Sequence, residues 1–177
     1  MAKLLQVVQL GHPVIRQKSK PVKNVKDRNI QTLIDNLMAT VMDVDGVGIA
    51  APQVYEPLRL FIMASHPNPR YPNAPFMDPT AVINPKIISH SKTKAKDWEG
   101  CLSIPGIRAL VPRYTSDKVE YTDRVGKKVT REFADFLAPI FQHEADHLDG
   151  IVFLDRLKNM QEVITEKEYQ KLITAKK

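Results

Sequence analysis

The sequence predicts an α+β fold of mostly antiparallel strands, with an N-terminal helix, a C-terminal helix and a third helix bearing the H-E-x-x-H run. Three observations carry that prediction. Helical spacing is confined to the two ends of the chain, short strand-like runs fill its middle, and strands and helices do not alternate as a parallel α/β sheet requires.

Taken in order, Ile30, Leu33, Ile34, Leu37, Met38, Val41 and Met42 recur at intervals of three and four, which predicts a helix over 28–43 with Asp27 as its cap. The texture then changes to turn-bounded runs rich in Val, Ile, Leu and aromatics at 47–54, 58–64, 81–84, 107–111, 118–122 and 128–133. Asp123, Arg124, Val125 and Gly126 between the last two read as a hairpin turn. Five prolines, Pro67, Pro69, Pro72, Pro75 and Pro79, make 65–80 a long surface loop, because proline breaks both sheet ladders and helix interiors. Further helices are expected over 135–148 and 159–173, the last with only Val163 and Ile164 as a narrow apolar stripe.

Residues 1–177, 43% of them hydrophobic, are expected to form a single domain with a sizeable core. The N-terminus reaches Gln6, Gln9, Gly11 and His12 before any long apolar run, so no secretory signal is expected. No stretch approaches the roughly 20 apolar residues of a membrane span. A single cysteine, Cys101, rules out an intrachain disulfide framework, and a bacterial-type cytoplasm or an organelle suits it. The net charge of +6 invites an anionic partner such as ribosomal RNA. Its clusters of lysine and arginine stand apart, at 18–28, 92–96 and 167–177, without the interleaved aromatics of a single-strand platform. Ordinary solvated faces account for most of that charge, a weak ribosome contact is expected at most, and neither a membrane nor a specific DNA partner is expected.

The sharpest motif is His143-Glu144-Ala145-Asp146-His147. Residues four apart on a helix lie about 40° apart around the axis and roughly 6 Å along it, so both imidazoles can face one ion. Glu144 then stands beside the ion's open side, where a carboxylate can accept a proton from an activated water. An exposed helix also tolerates His and Glu, and two ligands do not complete a site. Continuing the pattern to a third histidine fails, because Phe153 occupies that position. Two candidates for the third ligand stand open. Glu166 on the last helix would give a metallopeptidase, and Glu166→Ala would then empty the metal site, whereas it would do almost nothing otherwise. Cys101, in Glu99-Gly100-Cys101-Leu102-Ser103, is the preferred one, since a glycine beside it lets backbone approach a small ligand. The third motif, Gly46-Val47-Gly48-Ile49-Ala50-Ala51-Pro52-Gln53, is weak as a phosphate loop, lacking a third glycine and a helix directly behind it. A basic RNA-binding module with a structural metal is the remaining alternative, but structural zinc is normally closed by four protein ligands.

Together these three motifs resemble the peptide deformylase family, whose pattern is G-x-G-x-A-A-x-Q, then E-G-C-L-S, then Q-H-E-x-D-H-L-x-G; here they stand at 46–53, 99–103 and 142–150. The likeness extends to Gly11 through Arg16 and to Ile104 through Arg113. It implies an enzyme that removes the formyl group from the N-terminal formyl-methionine of nascent polypeptides, with one Fe²⁺ per chain that Zn²⁺ or another divalent metal can replace. By the same likeness Cys101, His143 and His147 are the ligands, Glu144 is the general base and then the acid, and the Gln53 amide and the Leu102 N–H hold the developing oxyanion. Backbone at Val47, Gly48 and Gly100 would pair with the peptide, and Val47, Pro139, Ile140 and His143 would line a methionine pocket. Glu99 and Arg113 match positions whose pairing would brace the cysteine loop.

Overall fold

The structure, a computed structural model, describes residues 2–68 and 71–175. It contains helices α1 (Arg28–Asp43), α2 (Leu137–Leu148) and α3 (Glu166–Thr174), and strands β1 (Gly48–Ala50), β2 (Leu60–Ser65), β3 (Met77–His90), β4 (Lys94–Cys101), β5 (Ile104–Tyr114), β6 (Ser116–Thr122), β7 (Lys128–Ala134) and β8 (Val163–Thr165). Every strand pair is antiparallel, in one sheet of order β1-β2-β3-β6-β7 and a second of order β4-β5-β8, so the expected α+β class holds.

Strand β2 explains how the layers form. All six of its residues are buried, and because side chains alternate across a strand it feeds two cores at once. Leu60, Ile62 and Ala64 meet Ile34, Leu37 and Val41 of α1. Phe61 and Met63 join Phe133 of β7 and Phe141 and Leu148 of α2, with Phe61 and Phe133 both packed on the Phe141 ring. Helix α1 matches its predicted bounds, and the Asp27 side chain accepts from the Asn29 N–H at 2.8 Å. The hairpin at 123–126 also stands as expected, with Gly126 at φ +90°.

Four expectations are corrected. The run 47–54 is a strand only at 48–50; Ala51–Val54 then form a 3-10 turn, because Pro52 cannot donate to a ladder and Tyr55 ends the turn at φ +69°. The proline loop is shorter than 65–80, since β3 begins at Met77. Pro79 is accommodated there by an irregularity, where Asp78 and Pro79 together face Ala64 between the pairs Met63↔Thr80 and Ser65↔Met77. Pro69 lies outside the described residues. Helix α2 starts at Leu137 rather than 135, because Asp135 turns the chain at φ +50°. Val163 and Ile164 do not belong to the last helix: they pair with Ala109 and Arg108 as β8, and α3 begins behind them, its Glu168 N–H capped by Thr165 Oγ1 at 3.3 Å. Strand β4 had no counterpart in the expectations, since its residues, exposed in the first half and partly buried in the second, show no apolar alternation.

Candidate metal centre

Cys101 closes β4, and Leu102 and Ser103 make the tight connection to β5, where Ile104 pairs back with Cys101. Across from it, α2 presents His143, Glu144 and His147. One ligand atom each from Cys101, His143 and His147 falls within 4.8 Å of the others, and Cys101 Sγ is 3.3 Å from His147 Nε2. Glu166 does not join them: it is paired with Arg108, which removes the alternative in which it is the third ligand.

A cleft of about 790 Å³ opens over this centre. Of the residues expected to act, Val47, Gly48, Gln53, Gly100, Cys101, Leu102, Pro139, Ile140, His143 and Glu144 all line it. His147 is only 1% exposed and lies behind them. Pro139 is the third residue of α2, where its missing N–H would have had no helical partner, so it costs the helix no bond. Gln53 is buried; its Oε1 accepts from the Ala50 N–H at 2.8 Å, and its Nε2 reaches Cys101 Sγ at 3.4 Å and Ser103 Oγ at 3.1 Å.

Behind the three donors stands a charged brace. Arg113 donates to both Glu99 oxygens, at 2.7 and 3.0 Å, and to Asp146 at 2.6 Å, and Glu99 Oε2 lies 2.9 Å from His143 Nδ1. Such a carboxylate fixes the orientation of an imidazole and leaves its other nitrogen for a metal. Burial pushes the Glu99 carboxyl up, but Arg113 and then His143 overcome it and hold the group at about 2, so it stays ionised. Burial likewise drives His147 well below the ordinary range and keeps its imidazole neutral. The sequence likeness anticipated the Glu99–Arg113 pair. Asp146, the fixed aspartate of the Q-H-E-x-D-H-L-x-G run, was given no role beforehand; it joins Arg113 to Arg156, whose Nε donates to it at 3.0 Å.

Glu144 is 4% exposed, its Oε2 has no hydrogen-bond partner, and burial raises its carboxyl to about 7. An ionisable oxygen buried without a partner is costly and implies a group still to be supplied. The donors also fit a metal. One thiolate and two imidazoles suit a transition ion and lack the oxygen ligands that Ca²⁺ or Mg²⁺ prefers.

A soft three-donor centre beside a buried carboxylate, at the floor of an open cleft, is the arrangement of a metal-dependent hydrolase. The chain belongs to the polypeptide deformylase family, whose pattern matches residues 4–163. It is 58% identical over 171 residues to peptide deformylase 2 of Nostoc sp., covering 97% of this chain and 96% of that one. Among solved structures, the class I type b peptide deformylase of Acinetobacter baumannii with Met-Ala-Ser bound superposes with a TM-score of 0.86 at 41% identity, covering 89% of this chain and all of the other. The peptide deformylase of Synechococcus elongatus in complex with actinonin follows at 0.79 and 35% identity, covering 92% of this chain and 84% of that one. The activity is removal of the formyl group from N-terminal formyl-methionine, with release of formate.

Proposed function

We propose that Cys101, His143 and His147 hold one divalent ion, Fe²⁺ in the cell, and that residues 1–177 act as one catalytic domain on nascent formyl-Met chains in a bacterial-type cytoplasm. The observation that carries this reading is the convergence of three ligand atoms next to a buried, unpartnered Glu144 oxygen. When bound, the ion supplies a positive charge that polarises the formyl carbonyl and makes water acidic enough to attack at neutral pH.

The protein's own groups do the rest. Glu144 takes a proton from the attacking water and passes it to the amine nitrogen as the carbon–nitrogen bond breaks, so that formate and a free N-terminus leave. The amide of Gln53 and the N–H of Leu102 donate to the oxygen that gains charge when the formyl carbon becomes tetrahedral. Backbone at Val47, Gly48 and Gly100 takes the peptide as an added strand, which reads few side chains and so suits many different substrates. Val47, Pro139, Ile140 and the His143 ring make the apolar seat for methionine. That the A. baumannii relative holds Met-Ala-Ser supports a peptide with an N-terminal methionine in this cleft.

A weak ribosome contact through the basic C-terminal region is part of the proposal; its Lys167 and Lys171 lie on α3, while Lys176 and Lys177 lie outside the described residues. The decisive experiment measures formate release from a formyl-Met peptide by anaerobically purified protein, with metal content determined in parallel. Turnover that survives complete metal removal would overturn the assignment of the centre.

A further inference from the structure

One wall of the cleft is assembled from segments far apart in the chain. Arg108 on β5 lines the cleft, yet its side chain is only 4% exposed. Its Nε donates to Glu166 Oε2 at 2.5 Å, its Nη1 donates to the Tyr71 hydroxyl at 3.0 Å, and its Cζ stands 5.0 Å from the centre of the Tyr169 ring. Tyr71 rests edge-on against Phe136, with ring centres 5.2 Å apart. The guanidinium lies flat against Gly100: a Cβ on that residue would come within 2.8 Å of Arg108 Cζ and 2.9 Å of Nε and Nη1. Glu166 and Tyr169 belong to α3, beyond residue 163 where the family match ends.

A buried guanidinium needs partners in fixed directions, because its charge is expensive to leave unpaired and its planar fork accepts few geometries. Glu166 supplies the charge and Tyr71 a second anchor on the same plane. Without them the cation would turn toward water and leave the Gly100 backbone unsupported.

We propose that Glu166 and Tyr71 are positioning residues that press the Arg108 guanidinium against Gly100 and so hold the backbone before Cys101 in the shape that receives the peptide beyond its methionine. This rests on Gly100 being part of the peptide-binding backbone, and it replaces the expectation that altering Glu166 has almost no effect.

The test is steady-state kinetics on formyl-Met-Ala and formyl-Met-Ala-Ser, with metal content and melting temperature followed for each variant. Glu166→Ala should raise KM for the tripeptide by about tenfold or more, the worth of one hydrogen bond to a buried charge, with a smaller rise for the dipeptide and a full metal equivalent retained. Glu166→Gln, which keeps an acceptor for Arg108, should recover most of the loss. Tyr71→Phe, which keeps the ring on Phe136, should shift KM in the same direction by less. If Gly100→Ala raises KM while Glu166→Ala and Tyr71→Phe do not, the clamp is wrong and the role of Gly100 stands. If Gly100→Ala leaves KM unchanged, the role of Gly100 itself fails. Loss of metal and kcat together in Glu166→Ala would also overturn the proposal, since the residue would then support the metal site. Should Glu166→Ala not fold, Tyr71→Phe carries the test alone, and an unchanged KM refutes it.

Discussion

The carboxyl group of Glu144 occupies the space that a side chain on Gly48 would need: a Cβ there would stand 2.8 Å from Glu144 Cδ and 2.9 Å from Cγ. Gly48 therefore serves the position of Glu144 as well as the proposed peptide-binding edge. Gly48→Ala is expected to displace the carboxylate and lower kcat by about 10², the low end of what a general acid–base group contributes, with metal retained. Kinetics beside metal analysis would check this, and near-normal kcat would show that Glu144 has another place to go.

Glu144→Gln keeps the shape and removes the proton acceptor. Its turnover should fall by about 10² to 10⁴ while the protein still binds a full metal equivalent. Retained activity would assign proton transfer to a different group.

Cys101→Ala, His143→Ala and His147→Ala should each lose the ion and the activity without unfolding, as followed by metal analysis and circular dichroism. Zn²⁺ should bind the wild-type site more tightly than Fe²⁺, yet anaerobic reconstitution with Fe²⁺ should give the higher turnover, because Fe²⁺ accepts a fifth donor more readily than Zn²⁺; in air the Fe²⁺ form should be lost as the partly buried Cys101 thiolate oxidises. Equal turnover of the fully loaded Zn²⁺ and Fe²⁺ forms, measured without oxygen, would contradict that ranking.

Arg113 is 5% exposed at its side chain and serves both Glu99 and Asp146. Replacing it with Met leaves the largely buried Glu99 without its guanidinium and Asp146 with Arg156 alone, which should cost about 3–5 kcal/mol of folding stability by urea unfolding. A loss under about 1 kcal/mol, the worth of an exposed ion pair, would mean that the brace is dispensable.

Asp117 offers a test in pH. It is 1% exposed, accepts from Gln142 Nε2 at 2.7 Å through Oδ2, and leaves Oδ1 without a partner. Burial raises its carboxyl above the ordinary value of 3.8, outweighing the Gln142 bond. A raised folded-state pKa means that its stabilising contribution is present below the ordinary carboxylate range and is lost as pH rises through the folded value. Asp117→Asn should therefore melt higher than wild type at pH 7, with the gap closing toward acid. A constant difference from pH 4 to pH 8 would rule out the charge as the cause.

Helix α1, the turn at 123–126 and the His143–His147 face were legible because each is local: a helix repeats its exposure every 3.6 residues, and a tight turn needs particular residues at particular places. The proposed ligand set was legible in a different way. No periodicity links Cys101 to His143, and only the order of three motifs joined them before the fold did.

Other features had no local signature. Val163 and Ile164 read as a helical stripe, yet pairing with β5 satisfies their backbone groups and makes them a strand. Strand β4 is polar and exists because β5 lies beside it. The wall formed by Tyr71, Arg108 and Glu166 joins residues 37 and 58 positions apart, and no spacing along a chain registers such a contact. By itself, then, the sequence determined the chemistry, since residue types and short-range spacing decide which groups can meet an ion on one helix face. Only the tertiary structure decided how those groups are held, because burial, ion pairing and steric exclusion depend on which distant segments fill the space around them.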